Sequence, residues 1–380
     1  MSIRPEPAGL YVHVPFCRRR CEYCNFAIVV AQDRRQQQFC ARLLQQARFW
    51  RRQADCPRFD TMHLGGGTPS RLSVESLTTL IGGLRELFEL GPAAELAIET
   101  NPEDIDDRFA ERLAQLGVNR VTIGVQSLST DGLRSIGREG TLEQASRAIE
   151  TTRAAGIRSV AIDLIFGRPG QSLLEWRDEL ESCLTWPIDH LSAYALEFDE
   201  PTPLSLAVAR GRVRRPSSDL AAAMYELTLR LCPSAGFAPY EISNFAKPGH
   251  ASRHNLKYWS DLAYLGLGPS AASYLGGMRW TQPRALERWL ELDDHDPESL
   301  DREPFDPDRR AGEAMIFGLR STRGIDLAEL AARYGAEPIA KREAALTAGV
   351  RDKLATQRGA IVALTERGRL LADELFVHLL

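Results

Sequence analysis

Six short apolar runs, each separated from the next by a stretch with helical character, constrain this chain more than any other feature. The runs are Leu10–Val14, Thr61–Leu64, Glu95–Glu99, Arg120–Gly124, Ser159–Asp163 and His190–Tyr194. The first intervening stretch, from about Asp33 to Arg52, carries Phe39, Leu43, Ala47 and Trp50 along one stripe at helical spacing. A second begins at Ser73, an N-cap candidate, and continues through Leu77, Leu80, Ile81, Leu84 and Leu87. Pro102, Glu103 and Asp104 are expected to open a third, with acids in its first turn. Strand–helix alternation of this length predicts parallel strands joined by crossovers. The expected fold class is α/β, a partial or complete βα barrel with function at the carboxyl ends of its strands. A doubly wound sheet is disfavoured because no G-x-G-x-x-G follows the first strand.

A cysteine cluster stands there instead. Cys17, Cys21 and Cys24 have the spacing C-x3-C-x2-C directly after the first strand. The chain holds seven cysteines, an odd number, and opens Met-Ser-Ile-Arg-Pro-Glu-Pro without the apolar core of a secretory leader. Both features argue against a disulfide framework and for a cytoplasmic protein. No apolar run is long enough to span a membrane. With 44% apolar residues and a net charge of −4 over 380 residues, disorder is excluded as the dominant state. Three thiolates on one loop can hold three irons of a cubane cluster and leave the fourth without a protein ligand. Two other readings remain open: a zinc site completed by His13, or simply buried thiols. Cys40, Cys56, Cys183 and Cys232 are expected to be bystanders.

Residues 1–195 are thus assigned to the barrel, residues 196–300 to an extension of it, and residues 301–380 to a separate module. In the module Asp306-Pro-Asp starts a helix, Gly324-Ile-Asp-Leu a second, and Ala340–Gly349 forms a third. A hairpin turning at Arg358-Gly359 and a final helix over Thr365–Leu379 complete a winged-helix-like α+β domain. With 13 basic and 13 acidic residues this module is neutral, which argues against nucleic acid as a partner.

C-x3-C-x2-C with the aromatic Tyr23 before the third cysteine resembles the radical S-adenosylmethionine (SAM) proteins. The resemblance implies a [4Fe-4S] cluster on the three cysteines, whose open iron binds the amino and carboxylate groups of SAM. It also implies that the barrel is a partial (β/α)6 one, an electron donor, and reductive cleavage of SAM to a 5′-deoxyadenosyl radical. Gly65-Gly66-Gly67-Thr68-Pro69, after the second strand, is similar to the segment that receives the SAM ammonium. By the same resemblance Glu99 faces the methionine portion, and Arg138 pairs with the carboxylate through its planar fork. Gln126 and Asp163 then hold ribose hydroxyls, Tyr11 lines the site and Tyr23 lies against adenine.

Tyr240-Glu-Ile-Ser-Asn-Phe-Ala, His254-Asn-Leu-Lys-Tyr258-Trp259 and Tyr264-Leu-Gly-Leu-Gly-Pro-Ser resemble the group around oxygen-independent coproporphyrinogen III dehydrogenase. The resemblance runs essentially end to end. The dehydrogenase branch has a cysteine two residues after the third cluster cysteine; here that position is Phe26. Phe26 and the H-N-x-x-Y-W segment instead resemble the HemW-type heme chaperones. That branch implies heme as cargo, a heme-accepting protein as partner, and His254 as the candidate heme ligand. A structural turn packed over the barrel is the alternative for His254. Ala272 departs from the pattern, because many relatives have histidine there. Radical SAM decarboxylation of coproporphyrinogen propionates is the alternative activity.

Overall fold

The computed structural model describes residues 6–30, 34–53, 55–292, 300–303 and 306–380. Met1–Pro5 and Asp33, on which the leader reading and the first helix's start fall, lie outside the described residues. The six apolar runs are six parallel strands that lie side by side in chain order. They are β1 (Ala8–Val14), β2 (Phe59–Gly66), β3 (Glu95–Thr100), β4 (Arg120–Gln126), β5 (Ser159–Phe166) and β6 (His190–Ala195). Several run further than their apolar signature, because β2, β4 and β5 stay buried through their carboxyl ends.

Five helices of two turns or more cross between successive strands: α1 (Arg34–Arg51), α2 (Val74–Leu87), α3 (Asp107–Gln115), α4 (Leu142–Ala154) and α5 (Leu173–Cys183). Alternation within each strand sorts the side chains. Leu10, Val12, Met62, Leu64, Leu96 and Ile98 join the apolar core beneath the helices, where Phe39, Leu43, Leu77, Leu80 and Leu84 meet them. The opposite faces point Tyr11, His13, His63 and Glu99 into the barrel. Ser73 caps α2 by accepting from the Ser76 N–H, and Ser172 closes a capping box with Glu175 on α5. Pro102–Asp104 is a single 3-10 turn rather than a helix start. The third helix begins at Asp107, capped by Asp106, which accepts from the Phe109 N–H. Proline and two acids suit either turn, and the later aspartate supplies the cap.

The strand periodicity leaves one parallel strand unread. Tyr264–Leu267 pairs with β1 on its open edge, in the register Gly9↔Tyr264 to Val12↔Leu267. From there the sheet continues antiparallel through Ala272–Leu275, Met278–Thr281 and Asp301–Glu303. Its other edge carries Asn244–Ala246 and Ala238–Pro239 beyond β6. The two ends of this twelve-stranded sheet do not pair, so the barrel is partial.

A second apolar core, built on Met315, Leu319, Leu346, Val362, Leu364 and Leu375, belongs to the C-terminal region. Helices Pro307–Arg320, Leu327–Tyr334 and Glu343–Arg351 surround a three-stranded antiparallel sheet, Ile325–Asp326, Ile361–Leu364 and Ala355–Arg358. The final helix expected over Thr365–Leu379 is two short ones, Glu366–Leu370 and Ala372–Phe376. They break at Leu371, whose φ of −119° and ψ of 30° leave the helical region. The break brings Leu375, Phe376 and Leu379 onto the core.

Candidate functional site

The site grows from the loop between β1 and α1. Phe16–Cys17 pairs with Val29–Val30, closing residues 17–30 into a compact loop over the carboxyl ends of the strands. Arg20 ties it internally, donating to the carbonyls of Cys24 at 3.4 Å and Ile28 at 3.5 Å. The extension holds it from outside. Asn25 donates to Glu200 at 3.0 Å, the Leu204 N–H to the Glu22 carbonyl at 2.9 Å, and Arg284 to the Asn25 carbonyl. All three loop cysteines are unpaired and partly accessible, and all three line a cavity of about 440 Å³. Burial pushes the Cys17 thiol up to about 11, against the pull of the Thr68 hydroxyl, and also raises Cys24. Thiols held this high ionise when a metal takes the thiolate, not to water alone.

Opposite the loop lies the glycine turn that ends β2. Gly66 has φ +101°, and a Cβ there would meet His13 Cε1 at 2.5 Å. At Gly67 it would strike the Val14 carbonyl at 2.7 Å, and at Gly65 the Glu99 carboxylate at 2.8 Å. The turn therefore tolerates nothing larger than glycine, and its backbone is free to approach a ligand. Thr68 reaches back across the cavity wall to Cys17.

The remaining wall is polar. Glu99, Gln126, Arg138 and Asp163 all line the cavity, as do Tyr23, Gly66, Gly67 and Thr68. Gln126 is a non-glycine residue at φ 67°, just after a register shift between β4 and β5, so the bulge turns it into the mouth. Arg138 donates to Asn101 Oδ1 and to the Gly124 carbonyl, each at 3.0 Å. Glu99 accepts from His63 Nε2 at 2.9 Å and from the Gly66 N–H at 3.2 Å. Asp163 Oδ1 is buried with no partner among the described residues. Burial raises the Asp163 carboxyl to about 7, although Ser192 pulls it down.

Three expected residues stand apart from the cavity lining. Gly65 lies one step below it, against Glu99. Tyr11 lies on β1 inside the barrel, its hydroxyl 3.1 Å from His13 Nδ1. His254 is 1% exposed, with Thr61 Oγ1 2.9 Å from Nδ1 and the Tyr258 hydroxyl 2.9 Å from Nε2. The structure therefore corrects the candidate heme-ligand reading of His254: neither ring nitrogen is open to an iron. His13 likewise does not complete a zinc site. Its Nε2 donates to the Ala27 carbonyl at 2.8 Å, and Nδ1 then accepts from Tyr11. No group of three His, Cys, Asp or Glu side chains converges on a single ion among the described residues.

Sequence reasoning missed Asn101 and His63, and read Tyr194 only as part of the family resemblance. Asn101 links Arg138 to Thr68, donating to the Thr68 hydroxyl at 3.4 Å, and Tyr194 lines the mouth. Asn101 had a signal in Glu-Thr-Asn-Pro at a strand end; His63, in mid-strand, had none.

The residues present fit the cofactors that the motifs imply. Three thiols on one loop provide cluster ligands, and three crowded glycines form a cradle that any Cβ would fill. An orphaned carboxylate oxygen and a buried guanidinium face the same space.

The family model of the Radical SAM superfamily matches residues 11–183, and that of the HemN C-terminal domain matches residues 305–371. Over its full length the chain superposes on the coproporphyrinogen III oxidase HemN of Escherichia coli with a TM-score of 0.85. The match covers 99% of this chain and 91% of that one at 23% identity, a likeness of fold. Fold and loop together define a radical SAM protein with a HemN-type C-terminal domain. Among its relatives, heme chaperone HemW of Mycobacterium tuberculosis is 35% identical over 97% of this chain and 93% of its own. Heme chaperone HemW of Bacillus subtilis is 32% identical over 96% and 97%. The chain belongs to the HemW family of radical SAM proteins.

Proposed function

We propose that this protein is a heme chaperone: it binds heme and transfers it to acceptor proteins, and carries a [4Fe-4S] cluster on Cys17, Cys21 and Cys24 with SAM in the adjoining cavity. The observation that carries the reading is Phe26, 61% exposed at the lip of the cavity, where the dehydrogenase branch has a cysteine. The HemW relatives, named as heme chaperones, support it along nearly the whole chain. No helix among the described residues is long and apolar enough to cross a membrane, and the expected setting is cytoplasmic.

When bound, a cluster with one iron free of protein ligands supplies coordination for the amino and carboxylate groups of SAM and a single electron. The chain's own groups do the rest. Arg138, fixed by Asn101 and Gly124, offers its charge to the carboxylate, and Glu99 with the glycine turn receives the ammonium. Gln126 and Asp163 hold the ribose, and Tyr23 provides an apolar wall for adenine. Tyr23 is suited to this because it packs in one apolar cluster with Ile136, Ile165, Leu196 and Leu204.

The test is anaerobic reconstitution followed by parallel heme titration and coproporphyrinogen turnover. A Soret shift on heme addition, heme transfer to an apo-hemoprotein and no vinyl product are expected. Vinyl product formed with SAM and reductant overturns the chaperone reading in favour of the dehydrogenase.

A further inference from the structure

The H-N-x-x-Y-W segment is not at the cavity mouth, and its position suggests a different task. Helix Arg253–Trp259 closes the barrel floor, at the amino ends of β1–β3. Glu95 on β3 caps it, accepting from the N–H groups of Arg253 at 3.1 Å and His254 at 2.9 Å. Asp60 on β2 clamps it through Arg253 at 2.6 Å and Lys257 at 2.7 Å. His254 and Tyr258, four residues apart, share one face and enter the barrel together.

Above them the barrel holds a continuous stack of rings. His254 lies parallel to His63 with centroids 5.3 Å apart and 23° between planes. Tyr11 flanks both, 6.2 Å from His63 and 6.4 Å from His254. His63 then donates from Nε2 to Glu99, the carboxylate on the cavity wall. The ring order is fixed at each step. Thr61 and Tyr258 orient His254, His254 and Tyr11 hold the plane of His63, and that plane sets the direction of the bond to Glu99.

We infer that His254, Tyr258 and His63 are positioning residues, a buried column that holds the Glu99 carboxylate toward the SAM amino group from beneath. The inference rests on the reading of the cavity as the SAM site. It removes the segment from heme ligation and gives its histidine and tyrosine a role at the other cofactor.

The test uses the full chain, reconstituted anaerobically. SAM binding is followed by calorimetry and by the change SAM makes in the electron paramagnetic resonance spectrum of the reduced cluster. Heme binding is followed by the Soret shift, and folding by thermal unfolding. His63→Gln keeps an N–H near Nε2, whereas His63→Leu removes it. SAM affinity is expected to be retained in His63→Gln and to fall about tenfold in His63→Leu, the loss of one charge-assisted hydrogen bond. His254→Leu is expected to weaken SAM binding and change the SAM-dependent spectrum, with the Soret shift unaltered. Tyr258→Phe removes only a hydroxyl and makes the same comparison where a leucine variant does not fold. Unchanged SAM affinity and spectra across the folded variants overturn the inference. So does loss of the Soret shift in His254→Leu with SAM binding intact. Failure of the unsubstituted protein to bind SAM is a separate result: it defeats the reading of the cavity, and the inference with it.

Discussion

Thr68 Oγ1 lies 3.5 Å from Cys17 Sγ, joining the glycine turn after β2 to the cysteine loop after β1. The contact follows from topology. β1 and β2 are parallel neighbours in the register Val14↔Gly66, so the segments leaving them emerge side by side at the same end of the barrel. Two motifs some fifty residues apart in sequence become the facing walls of one cavity, and Asn101, just past β3, joins Thr68 to Arg138 on the same lining.

Replacing any one of Cys17, Cys21 and Cys24 by serine should abolish cluster assembly. After anaerobic reconstitution the unsubstituted chain is expected to hold about four irons, and each variant markedly fewer. Cys56→Ser is the control, because Cys56 lies in a loop outside the cavity lining and should leave iron content unchanged. Full iron in Cys17→Ser, or loss of iron in Cys56→Ser, would assign the ligands elsewhere.

Gly66→Ala and Gly82→Ala should move stability in opposite directions. At Gly66 both the φ of +101° and the 2.5 Å approach of His13 oppose a side chain, and ~2–3 kcal/mol of destabilisation is expected. Gly82 is in α2, exposed, with nothing within 4 Å of its would-be Cβ. There alanine should stabilise by ~0.5–1 kcal/mol through helix propensity. Chemical denaturation of the two variants beside the unsubstituted protein measures both signs.

Asp163 should make stability depend on pH. Burial raises its carboxyl from 3.8 to about 7 in the folded chain, so the folded state binds the proton more tightly than the unfolded one. Stability is then fully present below the unfolded value and lost as pH rises through the folded value. Across that window the loss is on the order of 4 kcal/mol. Asp163→Asn removes the group and should flatten this part of the profile, becoming more stable than the unsubstituted chain at pH 8. Parallel profiles from pH 4 to pH 8 would count against a buried protonated Asp163.

The six strands were legible because a strand buried on both faces reads as an apolar run whatever its neighbours. Leu96 and Ile98, or Val160 and Ile162, carry that signal locally. The strand Tyr264–Leu267 was not legible as part of the barrel, because only its pairing with Gly9–Val12 makes it one. The cavity residues Glu99, Gln126, Arg138 and Asp163 were found because each stands at or near a strand end, where a parallel barrel gathers its loops. His254 was misread because nothing in His-Asn-x-x-Tyr-Trp says which end of the barrel receives it. That choice is made by Glu95 and Asp60, on strands 158 and 193 residues upstream of Arg253. The split of the last helix at Leu371 was equally hidden, being imposed by the second core.

Glu313 should hold the C-terminal module against the barrel. Its carboxylate, nearly buried, accepts from Arg279 at 3.1 Å, Arg310 at 2.9 Å and Arg309 at 2.9 Å. Arg279 comes from the strand Met278–Thr281 of the large sheet, whereas Arg309, Arg310 and Glu313 belong to the first helix of the module. Removing the carboxylate leaves two largely buried guanidinium groups, Arg279 and Arg310, short of a counter-charge. Glu303 offsets part of that, at 3.3 Å from Arg279 and 3.5 Å from Arg310. Glu313→Ala is therefore expected to cost ~2–4 kcal/mol, less than a fully isolated pair. Limited proteolysis should show the module cut away faster, and the main core, which does not include Glu313, should melt near its original temperature. A variant that resists both denaturant and protease as the unsubstituted chain does would show that apolar contacts alone dock the module.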